Sequence, residues 1–411
     1  MTDHSQPAGV DCAIAGLARP HDGRSELPKP FSASWDGSPG PTLASLWLRR
    51  IAEHPEAIAL RCGDIALTNR ELNERASAIA DRVLALAQNG QEIAIVAGRG
   101  SRLVVAIIAA ALSGRSSSVL SPSMWRFDLV AATSGKIVLT ERTLLASFPS
   151  SPAICIDDWD VIDRLNGAHH IEPAPPKSDK PLAVGSSKAM ASQHPIVTFV
   201  DGLKQRRFHP MRIALFSDTH SKEFLPELWA GLLLNSVIHL MPSVTESLAA
   251  LVKTLSSEAD EHGSMSIFLT PATADALLAA IPNLLRATDG LIIHGTGLNP
   301  AHSAAMAAHA ASHSTLVALT GFGESPDLFL PICPVDSDPL VAIHEAEDDS
   351  LLVVAEKSAN PVEPGVIGHI WLRSPSSALV QTGMQGWKTP AGRHEIFVSA
   401  EWNIPHVFEP E

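Results

Sequence analysis

The stretch that decides the fold is EIAIVAGRGSRLVVAIIAAALS, residues 92–113. Its first part, residues 92–97, is largely apolar, which is typical of a strand that is buried on both faces of a parallel sheet. Its second part, residues 101–113, is apolar over a helical length. A buried strand followed directly by such a helix is the repeating unit of a doubly wound α/β fold.

The alternation of strands and helices extends in both directions along the chain. Before this stretch, apolar residues at helical spacing predict a helix over 42–54, and a strand over 57–61 turns at Gly63-Asp64 into a second strand. Thr68, with Glu71 placed to close a capping box, predicts the start of another helix. After it, strands are expected near Ser118 and at 136–140, 212–216, 237–240, 265–269, 290–294 and 315–320. Helices are expected at 223–234, 245–255, 272–280 and 301–311.

The composition of the segments predicts how the chain is divided. Residues 1–40 are rich in Pro, Gly, Ser and Asp and are expected to form a loose leader. A Pro/Ser/Lys-rich stretch at 172–180 resembles a linker, which predicts a first α/β lobe over 41–180 and a second over 181–330. Beyond about Pro331 short strands with Gly/Pro turns replace the helices, so residues 331–411 are expected to form a small β-rich subdomain.

Charge and composition exclude several classes of function. The chain has 411 residues, with 30 basic and 44 acidic side chains and a formal charge of −14, which disfavours a nucleic-acid partner. Its four cysteines are scattered, without the spacing of a zinc or disulfide framework. The start has no basic stretch followed by an apolar core, and the longest apolar run, 103–112, is shorter than the roughly 20 residues of a membrane span. These features predict a cytoplasmic protein with no membrane partner.

Several short segments are similar to the core motifs of nonribosomal peptide synthetase adenylation domains. Residues 67–73, LTNRELN, are similar to the first motif, Leu-Thr-Tyr-x-Glu-Leu, and residues 269–272, LTPA, to Leu-Thr-Pro-Ser. Residues 291–300 resemble the strand and turn that the family writes as Leu-Leu-Val-Gly-Gly-Glu-Ala-Leu-Pro-Pro. These and other matches keep the family's order from about residue 42 to the end.

This resemblance to the adenylate-forming superfamily implies a fold and an activity. The implied fold is α/β, with two doubly wound α/β subdomains and a small β-rich subdomain, as in the large N-terminal part of these enzymes. The C-terminal lid domain of the family is expected to be absent. Adenylation joins a carboxylate to the α-phosphate of ATP, so the family's site cradles a triphosphate, holds Mg²⁺ and stacks the adenine ring.

The resemblance also implies which positions would handle the nucleotide. The family's Asn-x-Tyr-Gly-Pro-Thr-Glu falls on residues 318–324, ALTGFGE. Gly321 and Glu324 are retained, and Glu324 would be the Mg²⁺ ligand, although a solvated carboxylate after a turn is an equal alternative. Thr320 replaces the ring that stacks on adenine. Gly295 falls in the turn after the strand 290–294 and is a fourth nucleotide position.

Two further nucleotide motifs are degraded. Residues 381–384, QTGM, resemble Arg-Thr-Gly-Asp, and Met384 cannot replace the hydrogen bonds of the Asp that binds the ribose hydroxyls. The phosphate loop, which the family writes as Thr-Ser-Gly-Thr-Thr-Gly-x-Pro-Lys-Gly, falls either on residues 188–195 or on residues 200–204. Neither segment offers its glycines or its run of hydroxyls.

The acid pocket is expected at Lys222, Ile293, Leu319 and Phe322. Lys222 falls where the family places an Asp that pairs with the ammonium of an amino acid. Two interpretations stay open. Either the pocket rejects amino acids or accepts an anion, or the start of the helix has drifted and Lys222 is a solvated lysine.

These losses predict a degenerate, non-catalytic homologue that binds a protein or a small molecule in a nonribosomal peptide or related pathway. The expected partners are a carrier protein, a synthetase module or a tailoring enzyme, and no cofactor is expected. The alternative is a truncated ligase that activates a carboxylic acid with ATP and Mg²⁺, through an altered site or with a lid from another chain.

Overall fold

The computed structural model describes a little over half of the sequence, mainly in its first two thirds. The described residues are 41–88, 90–124, 126–149, 151–157, 182–184, 190–191, 193–205, 208–221, 223–243, 247–280, 284, 288–294, 314–319, 328–333, 341–344, 351–354, 361–364, 366, 368–373, 379–388, 394–397 and 407–408. All of them belong to one compact unit, Pro39–Glu411. The expected leader 1–40, the linker 172–180 and the helix 301–311 lie outside the described residues.

Among the described residues, the α-helices lie before residue 281. The α-helices of the described residues are α1 Leu43–Glu53, α2 Asn69–Leu86, α3 Ser101–Leu112, α4 Arg126–Thr133, α5 Gln193–Gln205, α6 Phe224–Leu233, α7 Leu248–His262 and α8 Pro271–Ala280. A short 3₁₀ helix spans Arg142–Ser147.

Six strands form the first sheet. They are β3 Ile93–Val96, β4 Ser117–Leu120, β5 Ile137–Thr140, β6 Ala153–Cys155, β7 Leu182–Val184 and β8 Met190–Ala191, in the order β6-β5-β3-β4-β7-β8. All pairs are parallel except β7 with β8, which is antiparallel. Strands β3, β4 and β5 are buried along their whole length, as the apolar stretch 92–97 predicts for β3.

The second sheet is larger and mixed. Its parallel strands are β1 Ile58–Cys62, β9 Arg212–Leu215, β10 Val237–Leu240, β11 Met265–Leu269, β12 Thr288–His294 and β13 Ser314–Leu319, and β2 Ile65–Thr68 pairs antiparallel with β1. An antiparallel part continues from β13 with β14 Leu328–Cys333, β15 Val341–His344, β16 Leu351–Val354, β17 Gly368–Arg373, β18 Leu379–Lys388, β19 His394–Phe397 and β20 Val407–Phe408. The predicted α/β fold class is confirmed.

Strand pairing crosses the predicted domain boundaries. β1 and β2 belong to the first predicted lobe, yet they extend the large sheet beside β10. β7 and β8 follow residue 180, yet they extend the first sheet beside β4. In both cases the crossing strand pairs with a strand whose backbone N–H and C=O groups would otherwise be unpaired at the edge of the sheet. The boundaries at residues 180 and 330 stay a prediction.

A layer of helices connects the two sheets. Helix α3 is buried on almost every side, contacts α1 and α2, and packs on strands of both sheets: β3 and β4 of the first and β1 of the second. The fully buried Trp47 of α1 and Trp229 of α6 belong to the same hydrophobic core. This core also includes Ile95 of the first sheet and Ile213 of the second, so the two sheets share one interior.

The helix ends follow the local sequence signals. The Oγ1 of Thr68 accepts from the backbone N–H of Glu71 at 3.2 Å, and the Glu71 carboxylate accepts from the N–H of Thr68 at 2.8 Å, which confirms the predicted capping box. Helix α7 was expected over 245–255 but reaches His262. Its last turns are polar, so the apolar pattern did not mark them, and Gly263 with φ +80° ends the helix.

Candidate functional site

The order of the parallel strands locates the edge at which a ligand would bind. β9 is central, β10 lies on one side of it, and β11, β12 and β13 follow in turn on the other side. In such doubly wound sheets ligands bind beyond the carboxyl ends of the strands, at the point where the winding direction reverses. That point lies between β9 and β11, beyond Leu215 and Leu269.

The residues expected at the site follow strands that end at this edge. Ile293 is the second-last residue of β12 and is 1% exposed, and Leu319 ends the adjacent strand β13. The other expected positions come directly after these strands in sequence or precede α6, and they lie outside the described residues: Lys222, Gly295, Thr320, Gly321, Phe322 and Glu324. Strands β12 and β13 therefore end at the same edge of the sheet, and the position and role of the six other residues stay a prediction.

Helix α5 contradicts the expected position of the phosphate loop at 200–204, and the position at 188–195 stays a prediction. Residues 200–204 lie inside α5, where backbone N–H groups are already bonded within the helix and cannot cradle a phosphate. Of residues 188–195, the structure describes 190–191 in β8 and 193–195 in the first turn of α5. The antiparallel pairing of Leu182 with Ala191 and of Ala183 with Met190 makes β7 and β8 a hairpin. The segment between these strands is 185–189, Gly-Ser-Ser-Lys-Ala.

An irregularity in the antiparallel sheet coincides with residues 381–384. Gln381 of β18 pairs with Trp371 of β17, and Gln385 pairs with His369. Between these pairs β18 has the three residues 382–384, whereas β17 has Ile370 alone. Such bulges are frequent beside functional sites, where they redirect side chains. Met384 lies within the bulge.

The turn between β9 and α6 is held by its own hydrogen bonds. The backbone N–H of His220 donates to Asp218 Oδ1 at 3.0 Å, and the N–H of Ser221 donates to the carbonyl of Asp218 at 2.9 Å. Thr219 is buried, with 8% of its surface exposed. The turn therefore presents a fixed set of polar groups at the carboxyl end of the central strand.

Arg99, which the sequence did not single out, connects the two sheets at this edge. It follows β3 of the first sheet, and its guanidinium donates to three backbone carbonyls of the second. Nη2 contacts the oxygen of Leu215 at 2.7 Å, Nη1 that of Ser217 at 2.7 Å, and Nε that of Met241 at 2.5 Å. The guanidinium also lies 5.5 Å from the ring centre of Phe224, at the start of α6.

Two carboxylates extend the polar contacts around Arg99. Glu141, just after β5, accepts from the backbone N–H of Gly98 at 3.2 Å. Glu227 of α6 is 2% exposed and accepts a hydrogen bond from the hydroxyl of Ser217. The ends of β3, β5, β9 and β10 and the first turns of α6 thus form one hydrogen-bonded network. A glycine-flanked arginine after a buried strand was the only sequence signal for it.

A buried arginine lies near the other end of α6. Arg50 of α1 is 6% exposed and donates Nη2 to Oδ1 of Asn235, a residue with φ +68°. Burial lowers the pKa of the Arg50 guanidinium, and attraction to Glu53 opposes this shift. Its Nε and Nη1 have no hydrogen-bond partner among the described residues. This arginine depends on Asn235 for its polar contact.

The described part of the chain has neither a cluster of metal-binding side chains nor a helix that could span a membrane. There, no three His, Cys, Asp or Glu side chains come together as a metal site would require. None of the helices there has both the length and the apolar character needed to cross a bilayer.

Comparison with known proteins adds two curated relatives. No family model matches the chain. Surfactin synthase subunit 1 of Bacillus subtilis is 34% identical over 109 residues, which cover 26% of this chain and 3% of that protein. The probable non-canonical nonribosomal peptide synthetase CymA of Salinispora arenicola is 24% identical over 183 residues, 41% of this chain and 2% of that protein. The chain therefore spans only a small fraction of both relatives.

Solved structures match over most of the chain. The N-terminal subdomain of Klebsiella oxytoca NpsA, in complex with 3-hydroxybenzoyl-AMSN, has a TM-score of 0.66 at 12% identity and covers 88% of this chain and 100% of that one. The nonribosomal peptide synthetase FmoA3 in its AMPPNP-bound form has a TM-score of 0.66 at 16% identity, covering 89% of this chain and 44% of that one. The chain has the fold of a nonribosomal peptide synthetase adenylation domain.

Proposed function

We propose that this chain is a non-catalytic homologue of the adenylation domains, acting in a nonribosomal peptide or related biosynthetic pathway as a binding partner. The fold and the two peptide synthetase relatives support the pathway. The loss of nucleotide-handling groups supports the absence of catalysis.

The observation that carries this proposal is the short connection between β7 and β8. Strands Leu182–Val184 and Met190–Ala191 leave only residues 185–189 between them. This segment has one glycine and two serines, against the three glycines and four hydroxyl residues of the motif Thr-Ser-Gly-Thr-Thr-Gly-x-Pro-Lys-Gly. A shorter loop offers fewer backbone N–H groups and hydroxyls to a triphosphate.

Two further nucleotide-binding groups of the family motifs are replaced in this sequence. Met384 stands where the motif has the ribose-binding carboxylate, and Thr320 stands where it has the adenine-stacking ring. Hydrogen bonds to charged groups contribute about 1.5–3 kcal/mol each, so losing several of them raises a dissociation constant by several powers of ten. No cofactor is therefore expected at this edge of the sheet.

Calorimetry with ATP and Mg²⁺ tests the proposed loss of nucleotide binding. We expect no saturable heat with ATP up to about 1 mM, where the binding free energy would be only about −4 kcal/mol. Lys188→Ala is the matched variant, because Lys188 is the only cation in the segment 185–189. A micromolar dissociation constant that Lys188→Ala weakens would contradict the proposal, because it would show a working phosphate loop.

A second candidate function is the binding of a finished acyl adenylate or a similar small molecule. The NpsA structure supports it, since that N-terminal subdomain is described as a complex with 3-hydroxybenzoyl-AMSN. Titration with 3-hydroxybenzoyl-AMSN tests this candidate. Saturable binding without ATP binding supports it, and no heat at about 1 mM excludes it for this acyl group.

The proposed protein partner is a carrier protein or a synthetase module, with a tailoring enzyme as the alternative. One matching structure is an artificially fused adenylation–PCP di-domain, NpsA-ThdA, with a TM-score of 0.63 and 73% of that chain covered. Analytical ultracentrifugation of the full chain with carrier proteins from its own gene neighbourhood tests this proposal. A complex with one of them supports it, whereas sedimentation of every mixture as separate components opposes it.

A further inference from the structure

We propose that Arg99 is a positioning residue, which fixes the turn 216–221 at the ligand-binding edge of the large sheet. The proposal rests on the second candidate function, which makes that edge of the sheet a ligand-binding site. It adds a residue from the first sheet that would contact no ligand itself and would act through the main chain of the turn.

The contacts of Arg99 are directed at the places where strands β9 and β10 end. The last ladder pair between these strands joins Leu215 to Leu240. Ser217 and Met241 lie beyond that pair, where the N–H of Met241 still donates to the carbonyl of Leu215 at 3.0 Å. The guanidinium of Arg99 donates to the backbone carbonyls of Ser217 at 2.7 Å, Met241 at 2.5 Å and Leu215 at 2.7 Å.

Ser217 is held from two directions. Its carbonyl accepts from Arg99 Nη1, and its hydroxyl donates to the buried carboxylate of Glu227. In the turn that follows, the amides of His220 and Ser221 both bond to Asp218, and the carbonyl of Ser221 accepts from the N–H of Phe224 at 3.4 Å. Ser217 is therefore the residue through which Arg99 and Glu227 hold the start of the turn.

The contacts require an arginine rather than any cation. A guanidinium presents five donors in a planar fork, whereas a lysine ammonium is a single point on a flexible chain. One ammonium cannot contact carbonyls on two strands and also lie flat against the Phe224 ring. Arg99→Lys therefore keeps the charge and removes most of the positioning.

Hydrogen exchange followed by mass spectrometry on the full chain tests the proposal. We expect peptides that cover 216–221 to exchange about tenfold or more faster in Arg99→Lys than in the wild type, because charge-assisted bonds are lost. The matched control is Ile107→Val, which removes a methyl group from the fully buried face of α3 and lowers global stability without touching the network. When the two variants are compared under conditions that give them equal global stability, Ile107→Val should leave exchange in 216–221 unchanged.

Two results would overturn the proposal: exchange in 216–221 that equals the wild type in Arg99→Lys, or an equal increase in Ile107→Val. Ser217→Ala provides a second variant, since it removes the bond to Glu227 but keeps the carbonyl for Arg99, and we expect a smaller increase in the exchange rate of 216–221.

Ligand binding provides a second measurement, with 3-hydroxybenzoyl-AMSN as the probe. Its affinity for Arg99→Lys should be about tenfold weaker than its affinity for the wild type. If the wild type binds no probe, the second candidate function fails for this acyl group, and the exchange rates alone decide the role of Arg99.

Discussion

At the scale of single residues, the pair Arg50–Asn235 shows how a buried charge is maintained. Asn235 adopts φ +68°, a conformation that costs most side chains about 1–2 kcal/mol and that asparagine tolerates better. In return its Oδ1 accepts from Arg50, which is 6% exposed. A glycine would satisfy the backbone at this position, but it would offer the guanidinium no acceptor.

Substitutions of Asn235 separate these two roles. We expect Asn235→Gly to lower the free energy of unfolding by about 1.5–3 kcal/mol, because a buried charged donor loses its partner. Asn235→Ala should cost about 1–2 kcal/mol more, since alanine adds the strain of a positive φ. Urea denaturation of both variants measures the difference. Equal stability of the alanine and glycine variants would show that the backbone at this position carries no strain.

At the scale of elements, the sequence predicts most of the parallel core and little of the connections. The helix start at Thr68 and Glu71 and the buried strand within 92–97 could be predicted, because both depend only on neighbouring residues. Strand β10 is found at its predicted bounds, Val237–Leu240. The pairing of β1 with β10 depends on residues far apart in the chain, so no local pattern could predict it.

The phosphate loop and Arg99 were missed for different physical reasons. Counting residues against a motif cannot place the loop, because any insertion or deletion before it moves every later position. Helix α5 shows the error, because it covers one of the two expected segments. Arg99 was missed because its partners are backbone carbonyls of another sheet, which leave no trace in side-chain patterns.

Helix α6 packs against β10 through a glycine. An added Cβ at Gly231 would lie 2.5 Å from Cγ1 and 2.7 Å from Cδ1 of Ile238. Overpacking of this kind costs about 1–3 kcal/mol, whereas alanine gains up to about 1 kcal/mol in helix propensity. We therefore expect Gly231→Ala to lower the free energy of unfolding, measured by urea denaturation.

The double variant Gly231→Ala/Ile238→Ala provides the control. Removing the isoleucine side chain frees the space that the new methyl group needs, so the double variant should be more stable than the sum of the two single effects predicts. Additive effects would show that the close approach of α6 to β10 does not limit the residue at position 231.

At the scale of the whole molecule, the helical layer makes the two sheets depend on one core. Leu72 of α2 is fully buried in the cluster that includes Ile95 of the first sheet and Ile213 of the second. We expect Leu72→Ala to lower the free energy of unfolding by about 2–5 kcal/mol. Hydrogen exchange should show lower protection in both β3 and β9. A loss of protection in one sheet alone would contradict a shared core.

The central claim is that the molecule keeps the fold of an adenylation domain and has lost its chemistry. Pyrophosphate exchange tests this most directly, because it reports adenylate formation whatever acid is bound. With ATP, Mg²⁺ and a broad panel of amino, aryl and fatty acids, we expect exchange to stay at the background of the enzyme-free reaction. Exchange above that background with any acid, abolished by Glu324→Ala, would contradict the account and establish an active ligase with an altered site.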